Sequence, residues 1–348
     1  MSITLLPARV QLLSVPTSDL PLLVRSIIKH VFPHHFGSSC SGSSPDAFFS
    51  YTDTGTEVSI IAEVEAMQAD FAPLVGRVAA RITEDVFRVL QVEDTSGIEA
   101  SGSRIDDLSR ILSQAAITMV YTSTHQSDFI LVKESRVDFV LQTLNQSGFS
   151  ISNTPPYFHE QTRASASLAS SPGSFDYSDR LMHPNPPEPD DQRELVSRSM
   201  TLRALNCRLR QVGLNHEYVD ECALKLIKIM FYPQEGLDAT REQDRFFSFT
   251  SSIEGISLLL DERHLSEFEP HMLQSLVIPI TLRCIQLVFA ENYYLDKYGV
   301  VYSVSHPLVA SGINLLYVST YCSANVVVEE EDMDRTLALL SDVVPASD

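Results

Sequence analysis

Apolar and polar residues in the first 80 positions follow the order strand, helix, strand, strand. Residues Val10–Val15 alternate as in a half-buried strand, and Pro21–Val31 has apolar residues at helical spacing. Two further runs, Ala47–Thr52 and Val58–Ala62, flank Gly55 and predict a hairpin. This segment is therefore predicted to form a small α+β unit.

The segment that follows repeats the same order of elements. The elements predicted there are strands over Val86–Val92, Thr118–Thr124 and Phe129–Val132, and helices over Ser103–Ala115 and Val137–Leu144. The first of these helices is expected to begin at Ser103, which with Asp106 resembles a capping box. A second α+β unit is predicted here.

The chain contains an internal repeat, in which three blocks recur in the same order about 200 residues later. The matching blocks are Ile28–Phe32 with Ile227–Phe231, Phe48–Thr52 with Phe246–Thr250, and Ile117–Leu144 with Ile313–Leu340. One such match would be weak because strands share composition. Three matches in one order and at nearly constant spacing indicate a tandem duplication.

The duplicated halves are separated by residues 153–199, where Ser and Pro residues disfavour both helix and strand. We interpret this segment as a flexible linker. The predicted units are residues 1–80, 81–152, 200–275 and 276–348. Each is expected to be an α+β sandwich of the ferredoxin-like type, with helices on one face of an antiparallel sheet.

Composition and charge narrow the possible partners. The 348 residues are 44% apolar and 20% charged, which is ordinary for folded domains, and the chain is longer than one core usually holds. Asp and Glu number 45 against 25 Lys and Arg, giving a net charge of −20. Because this charge repels phosphate groups, we expect neither nucleic acid nor a membrane as a partner.

The expected compartment is the cytoplasm. No run approaches the roughly 18 apolar residues of a membrane span, and the first fifteen residues lack the pattern of a signal peptide. The five cysteines are scattered without CxxC spacing, which is typical of reduced thiols.

Catalytic and metal-binding motifs are absent from the sequence. It has no nucleophile elbow, no phosphate-binding loop, no GxGxxG after a strand and no HExxH. The cluster His30, His34, His35 and Cys40 lies among Ser, Gly and Pro residues, which is typical of a surface loop. We therefore predict a non-enzymatic protein with no catalytic residues, no metal and no cofactor.

Two Tyr-x-Ser-Thr runs, Tyr121–Thr124 and Tyr317–Thr320, end equivalent strands of the repeat. Backbone groups at facing strand ends can bind a zwitterion. The same Ser and Thr residues can instead satisfy the amides of a turn, and the tyrosines can pack in a core or an interface. The residues alone leave both interpretations open.

Tandem βαββαβ units resemble the ACT domain, a small regulatory module that binds amino acids. The run Ser123–Glu134, supported by Val10–Val15, Ile253–Ser257 and Tyr317–Thr320, is similar to the CASTOR family of cytosolic arginine sensors of the TOR pathway, which are built from four ACT domains. The resemblance covers both halves. It implies a free amino acid held between the second and fourth units, a homodimer formed through the first and third, and ligand-controlled binding to a GATOR complex.

The resemblance also implies roles for individual residues. The ligand-binding positions are Thr118 and Met119 at the α-carboxylate and amino groups, Thr320 and Tyr321 at the side-chain end, Tyr298, Gly299 and Val300 in a covering loop, and His183 from the linker. The partner-binding positions are His125, Gln126 and Asp128 in an exposed run.

Three positions depart from the family pattern. Ala324 replaces an aspartate that anchors the ligand, Lys297 replaces a glutamate, and Tyr294 replaces a glycine of the covering loop. A cationic ligand would lose charge-assisted hydrogen bonds worth about 1.5–3 kcal/mol each, which favours a neutral or acidic amino acid over arginine. The same departures leave a second hypothesis open, a constitutive protein-interaction scaffold that has lost its ligand.

Overall fold

The structure is a computed structural model that describes residues 1–33, 47–93, 101–152, 200–232, 244–274, 280–289 and 297–343. The strands β1 to β16 in this part of the chain are Ser2–Pro16, Phe49–Asp53, Glu57–Glu63, Arg81–Ile82, Phe87–Glu93, Val120–Ser123, Asp128–Lys133, Ser150–Ser152, Met200–Ala204, Leu209–Leu214, Phe247–Ser252, Gly255–Asp261, Leu273–Gln274, Leu282–Phe289, Leu315–Ser319 and Ser323–Glu329. The helices α1 to α7 are Val24–Val31, Val64–Ala66, Ser101–Gln114, Val137–Gln146, Ala223–Phe231, Val300–Ala310 and Met333–Val343. None of the helices in these ranges is both long and apolar enough to cross a membrane.

All these strands join one sheet. Its order is β13-β10-β12-β11-β2-β3-β1-β5-β7-β6-β15-β16-β14-β9, with β4 and β8 paired to β1. The 15-residue strand β1 is long enough to pair with β5 and β8 along its first half and with β3 and β4 along its second. A further pairing of β10 with β14, at Leu209 and Leu282, closes the path of strands into a ring.

The strand pairing follows the internal repeat. Tyr51 of β2 lies opposite Phe249 of β11, and Thr122 of β6 lies opposite Val318 of β15. Because each pair joins two equivalent positions, an approximate twofold axis passes through both. The hydroxyl contacts obey the same symmetry: Ser50 to Thr250 and Thr52 to Ser248 at 2.9 Å, the Tyr121 N–H to Ser319 Oγ at 2.9 Å, and the Tyr317 N–H to Ser123 Oγ at 3.1 Å.

The strands near this axis are buried on both faces. In β2 and β11, apolar residues alternate with Ser and Thr, and every residue of both strands is buried. The apolar side chains of the first and third predicted units form one core under α1 and α5. A second core joins the other two units under α3, α4, α6 and α7, and a smaller cluster around Phe246 and Cys284 lies apart from both.

The predicted α+β class agrees with these helices and strands, but the strands differ from the four separate sandwiches that we expected. They form a single ring. The strand β1 pairs with strands of two units, and the pairings β2 with β11, β6 with β15 and β10 with β14 join the remaining units. The predicted unit boundaries stay predictions. The linker, residues 153–199, lies outside the described residues.

Two local predictions also change. Helix α3 begins at Ser101 instead of Ser103, and the N–H of Gly102 donates to Asn314 Oδ1 at 2.9 Å, so part of the cap comes from another unit. His30 lies in α1, not in a loop. Its ring is buried between Phe49 and Phe71, and its Nε2 is 3.0 Å from Asp70 Oδ2.

Candidate functional site

A cavity lies between α3 and the start of α6, where the second and fourth predicted units meet. It contains about 210 Å³ of empty space, including its open side. The residues that line it are Ser109, Ile117, Met119, Lys297, Gly299, Val300, Val301 and Tyr302.

The described walls of the cavity are mostly apolar. Lys297 is the charged side chain among the described lining residues. Gly299 has a φ of 80°, a left-handed conformation that favours glycine, and it turns the chain into α6. The N-terminus of α6 adds the positive end of a helix dipole. The positive end of this dipole favours a carboxylate over an ammonium or guanidinium group.

Several predicted ligand residues meet at this cavity. Met119, Gly299 and Val300 line it, and the half-buried Thr118 and Tyr298 are their neighbours in the chain. Met119 lies immediately before β6, and Gly299 immediately before α6. The ligand-binding role of all five residues stays a prediction.

Two other predicted ligand residues lie between β15 and β16, in the segment of residues 320–323, which ends on the first residue of β16 and which we call the second turn. The N–H of Tyr321 donates to Ser59 Oγ at 3.1 Å, and Thr320 Oγ1 donates to Glu57 Oε2 at 3.3 Å. Burial raises the pKa of Glu57, although hydrogen bonds from its neighbours act in the opposite direction. These contacts join the second turn to the first predicted unit. His183 lies outside the described residues.

The acidic anchor that the resemblance places in the fourth unit has a counterpart in the second. Ala324 is fully buried in β16, opposite Leu287. Its repeat equivalent is Asp128, whose Oδ2 lies 2.8 Å from Arg104 Nε in a buried ion pair. Burial raises the pKa of Asp128, and the Arg104 charge opposes this shift. The second unit therefore keeps an acidic residue at this position and pairs it with an arginine, whereas the fourth unit has an alanine there.

The predicted partner-binding run lies in the turn between β6 and β7, residues 124–127, which we call the first turn, and in the start of β7. Gln126 is exposed and His125 is half-buried, with its pKa lowered by burial. The expected exposure is wrong for Asp128, which is 1% exposed because its carboxylate pairs with Arg104. Partner binding by this run stays a prediction.

Hydrogen bonds hold the first turn against the third predicted unit. They run from the His125 N–H to Ser257 Oγ at 2.9 Å, from Ser127 Oγ to Glu254 Oε2 at 2.6 Å, and from Gln126 Nε2 to Gln274 Oε1 at 3.4 Å. Ser257 is the repeat equivalent of Ser59, which bonds the second turn. The first turn therefore connects the second unit to the third, and the second turn connects the fourth unit to the first.

Sequence reasoning missed part of the cavity rim. Tyr302 stacks on His306 with ring centres 4.8 Å apart, and His306 Nδ1 lies 3.0 Å from Asp106 Oδ1. This contact connects α6 to α3. Only the fold brings these helices together, so no spacing in the sequence indicates it. Nowhere in the described ranges do three or more His, Cys, Asp or Glu residues form a possible metal site.

Comparison with known proteins supports a distant relationship with the sensors named above. The ACT domain model matches residues 82–146 and 277–342. The human cytosolic arginine sensor for mTORC1 subunit 1 is 25% identical over 360 residues, covering 98% of this chain and 97% of the human protein. The protein of the same name from Bos taurus is 25% identical over 352 residues, with the same coverage. The chain is a distant CASTOR-like relative.

Among solved structures, a Synechocystis aspartate kinase matches 98% of this chain and 55% of its own, with 10% identity and a TM-score of 0.36. The regulatory subunit of aspartate kinase from Thermus thermophilus matches 42% of this chain and 98% of its own, with 8% identity and a TM-score of 0.31.

Proposed function

We propose that this protein is a non-enzymatic regulatory protein that binds a free amino acid between its second and fourth ACT-like units. The observation that carries the proposal is the cavity between α3 and α6, which three of the predicted ligand residues line: Met119, Gly299 and Val300. The distant relationship to cytosolic arginine sensors, along nearly the whole chain, supports a sensing role.

The ligand that we propose has a neutral or acidic side chain. Lys297 and the N-terminus of α6 place positive charge at the cavity, whereas the buried Ala324 offers no carboxylate to a cationic side chain. Burying an unpaired cation beside another cation is unfavourable, so arginine should bind weakly.

Thermal unfolding of the full chain with each of the twenty amino acids at millimolar concentration tests this function. A ligand present at 100 times its Kd should raise the free energy of unfolding by about 2.7 kcal/mol. Stabilisation by acidic or neutral amino acids, with little effect of arginine, is expected. No stabilisation by any of them would refute the sensor function.

A charge reversal at the cavity tests the location of the site. Lys297→Glu should weaken the acidic or neutral ligand and strengthen arginine or lysine, while Lys297→Gln, which removes the charge without reversing it, should have an intermediate effect. An unchanged ligand preference in Lys297→Glu would show that the ligand binds elsewhere.

The proposed output is control of a protein partner in TOR signalling, a GATOR-like complex by resemblance, in the cytoplasm. A homodimer through the first and third units is part of the proposal. Leu22, Leu224 and Tyr232, which are exposed large apolar residues of those units at 57%, 81% and 67%, are suitable for such a contact. Size-exclusion chromatography with light scattering should give twice the chain mass. Leu224→Asp should shift the protein to the monomer.

The second candidate function is a constitutive scaffold of the same fold. Ala324 favours it, because a buried methyl group replaces the carboxylate at the position where the resemblance places a ligand anchor. Under this hypothesis the cavity binds no amino acid, and partner binding does not respond to amino acids. The unfolding experiment separates the two functions directly.

A further inference from the structure

The interface between the second and fourth units contains two helix N-termini that the internal repeat relates to each other. The helix α6 begins at the cavity, which Met119 lines. The helix α3 begins in an equivalent place, because a Cβ atom at Gly102 would lie 3.4 Å from Cδ2 of Leu315, the repeat equivalent of Met119. The interface therefore has a second position built like the cavity.

The two N-termini differ in the side chains that meet them. At α6 the residue before the helix is Gly299, which has no side chain to cap it. At α3 the N–H of Gly102 donates to Asn314 Oδ1 at 2.9 Å, and a Cβ atom at Gly102 would lie 3.2 Å from the same oxygen. The repeat equivalent of Asn314 is the shorter Thr118, beside the cavity. A side chain of the protein itself thus occupies at α3 the place that is open at α6.

Two buried serine hydroxyls lie on the helices that form the α3 position. Ser101 at the start of α3 and Ser305 on α6 are both 0% exposed, and neither Oγ has a hydrogen-bond partner in the described part of the chain. Ser305 is the repeat equivalent of Ser109, which lines the cavity, so it faces the α3 position in the same way. A buried hydroxyl without a partner costs free energy, so both hydroxyls favour a bound polar group.

We propose that the N-terminus of α3 is a second carboxylate-binding site, which the protein closes with its own Asn314. Backbone N–H groups and the positive end of the helix dipole favour a carboxylate there, and the amide oxygen of Asn314 takes the place of one carboxylate oxygen. The interface thus has an open site at α6 and a self-occupied site at α3. The ligand class rests on the proposed function, whereas the contact between Asn314 and Gly102 does not depend on it.

The substitution Asn314→Gly tests the second site in the full chain. It removes a CH2–CONH2 group, which acetate matches closely in size. At pH 7, acetate should raise the thermal midpoint of the variant by roughly 2–4 °C more than chloride at the same ionic strength, and by more than acetamide does. Wild type should show no such difference. No stabilisation of Asn314→Gly by acetate beyond that by chloride would overturn the proposal.

The matched control is Asn215→Gly. It removes the same side chain from the third unit, where Asn215 accepts a hydrogen bond from Gln274. Acetate should stabilise this variant no more than chloride does. Equal stabilisation of both glycine variants by acetate would overturn the proposal, because the effect would then be independent of α3.

A pair of substitutions of similar size tests the same site without a cavity. Asn314→Asp places a carboxylate beside the Gly102 N–H and should raise the thermal midpoint at pH 7 by about 1–3 °C, because the helix dipole favours the negative charge. Asn314→Leu has no acceptor and should lower the midpoint. A midpoint of Asn314→Asp at or below that of wild type would overturn the preference for a carboxylate. If Asn314→Gly does not fold, this pair decides the test.

The second site and the proposed function fail separately. If no amino acid stabilises wild type but acetate stabilises Asn314→Gly, the sensor function is refuted and the second site stands. If an amino acid stabilises wild type but acetate has no specific effect on Asn314→Gly, the second site is refuted and the sensor function stands.

Discussion

The first and second turns have equivalent positions in the repeat, but different side chains make their contacts. Behind the first turn, Arg104 and Asp128 form a buried ion pair, whereas the equivalent positions in the fourth unit hold Val300 and Ala324. At the tips, His125 corresponds to Tyr321. The duplicated backbone thus keeps its hydrogen bonds to Ser257 and Ser59, while the chemistry of each half diverges. The symmetry of the repeat determines which positions are in contact, and the side chains at those positions determine the free energy of each contact.

The largest expected effect concerns the ion pair, which the fourth unit lacks. Asp128→Ala would leave the buried Arg104 charge without its partner, and such losses cost about 3–5 kcal/mol in the free energy of unfolding. Urea denaturation measures this difference. The control is Asp107→Ala, which removes the exposed pair with Arg110 and should cost less than about 1 kcal/mol. An equal loss in the free energy of unfolding for both variants would mean that the buried ion pair stabilises the fold no more than the exposed one.

The next effect concerns Glu57, which the second turn contacts. Because burial raises its pKa in the folded chain, the folded state binds more protons than the unfolded state between the two pKa values. Its contribution is therefore fully present below the unfolded pKa and is lost as pH rises through the folded pKa. Glu57→Gln removes this titration. The variant should gain roughly 1 kcal/mol over wild type at pH 8, and less at pH 5.

Thermal unfolding across this pH range measures the gain. The matched control is Glu254→Gln, which alters the partly exposed carboxylate that accepts from Ser127 at the first turn. No comparable gain at pH 8 is expected there. A Glu57→Gln variant that lost stability equally at every pH would contradict the role of burial at this carboxyl.

A smaller effect is expected at the two serine hydroxyls that accept hydrogen bonds from the backbone of the turns. Ser59→Ala and Ser257→Ala each remove one acceptor from a backbone N–H, which costs about 0.5–1.5 kcal/mol when the donor stays buried. The Tyr321 N–H is enclosed, whereas the first turn is more open and can recover a bond to water. Ser59→Ala should therefore be the more destabilising substitution in urea denaturation, and the reverse order would contradict the difference between the turns.

The sequence predicts the local helices and strands and the repeat, but it does not predict the contacts between units. The hairpin around Gly55 and the strands around Thr124 were predictable because alternation and turn residues are local signals. The repeat indicated which positions are equivalent, and Tyr51 opposite Phe249 agrees with it. The cap on Gly102 was not predictable, because Asn314 supplies it from about 200 residues away.

The contacts at the candidate site were not predictable for the same reason, because they join residues from different elements of the fold. The resemblance placed Asp128 in an exposed run, yet Arg104 reaches it from the helix that packs on its strand. The shared strand β1 and the ring closure at β10 and β14 likewise depend on tertiary pairing. Met119 and Gly299 meet at one cavity only because α3 packs beside α6.

The smallest expected effect is a pH dependence confined to the first turn. Burial lowers the pKa of His125 in the folded chain, so a locally unfolded first turn binds a proton more readily. The stability that depends on a neutral His125 is complete above the ordinary histidine pKa of about 6.5 and is lost as pH falls through it towards the lower folded value. Between pH 7 and pH 5.5, hydrogen exchange of residues 124–127, corrected for the intrinsic rate, should rise by less than about fivefold. Residues 320–323, with Tyr321 at the equivalent position, should show no such rise. His125→Gln should abolish the rise, and a rise that persists in this variant would assign the pH dependence to another group.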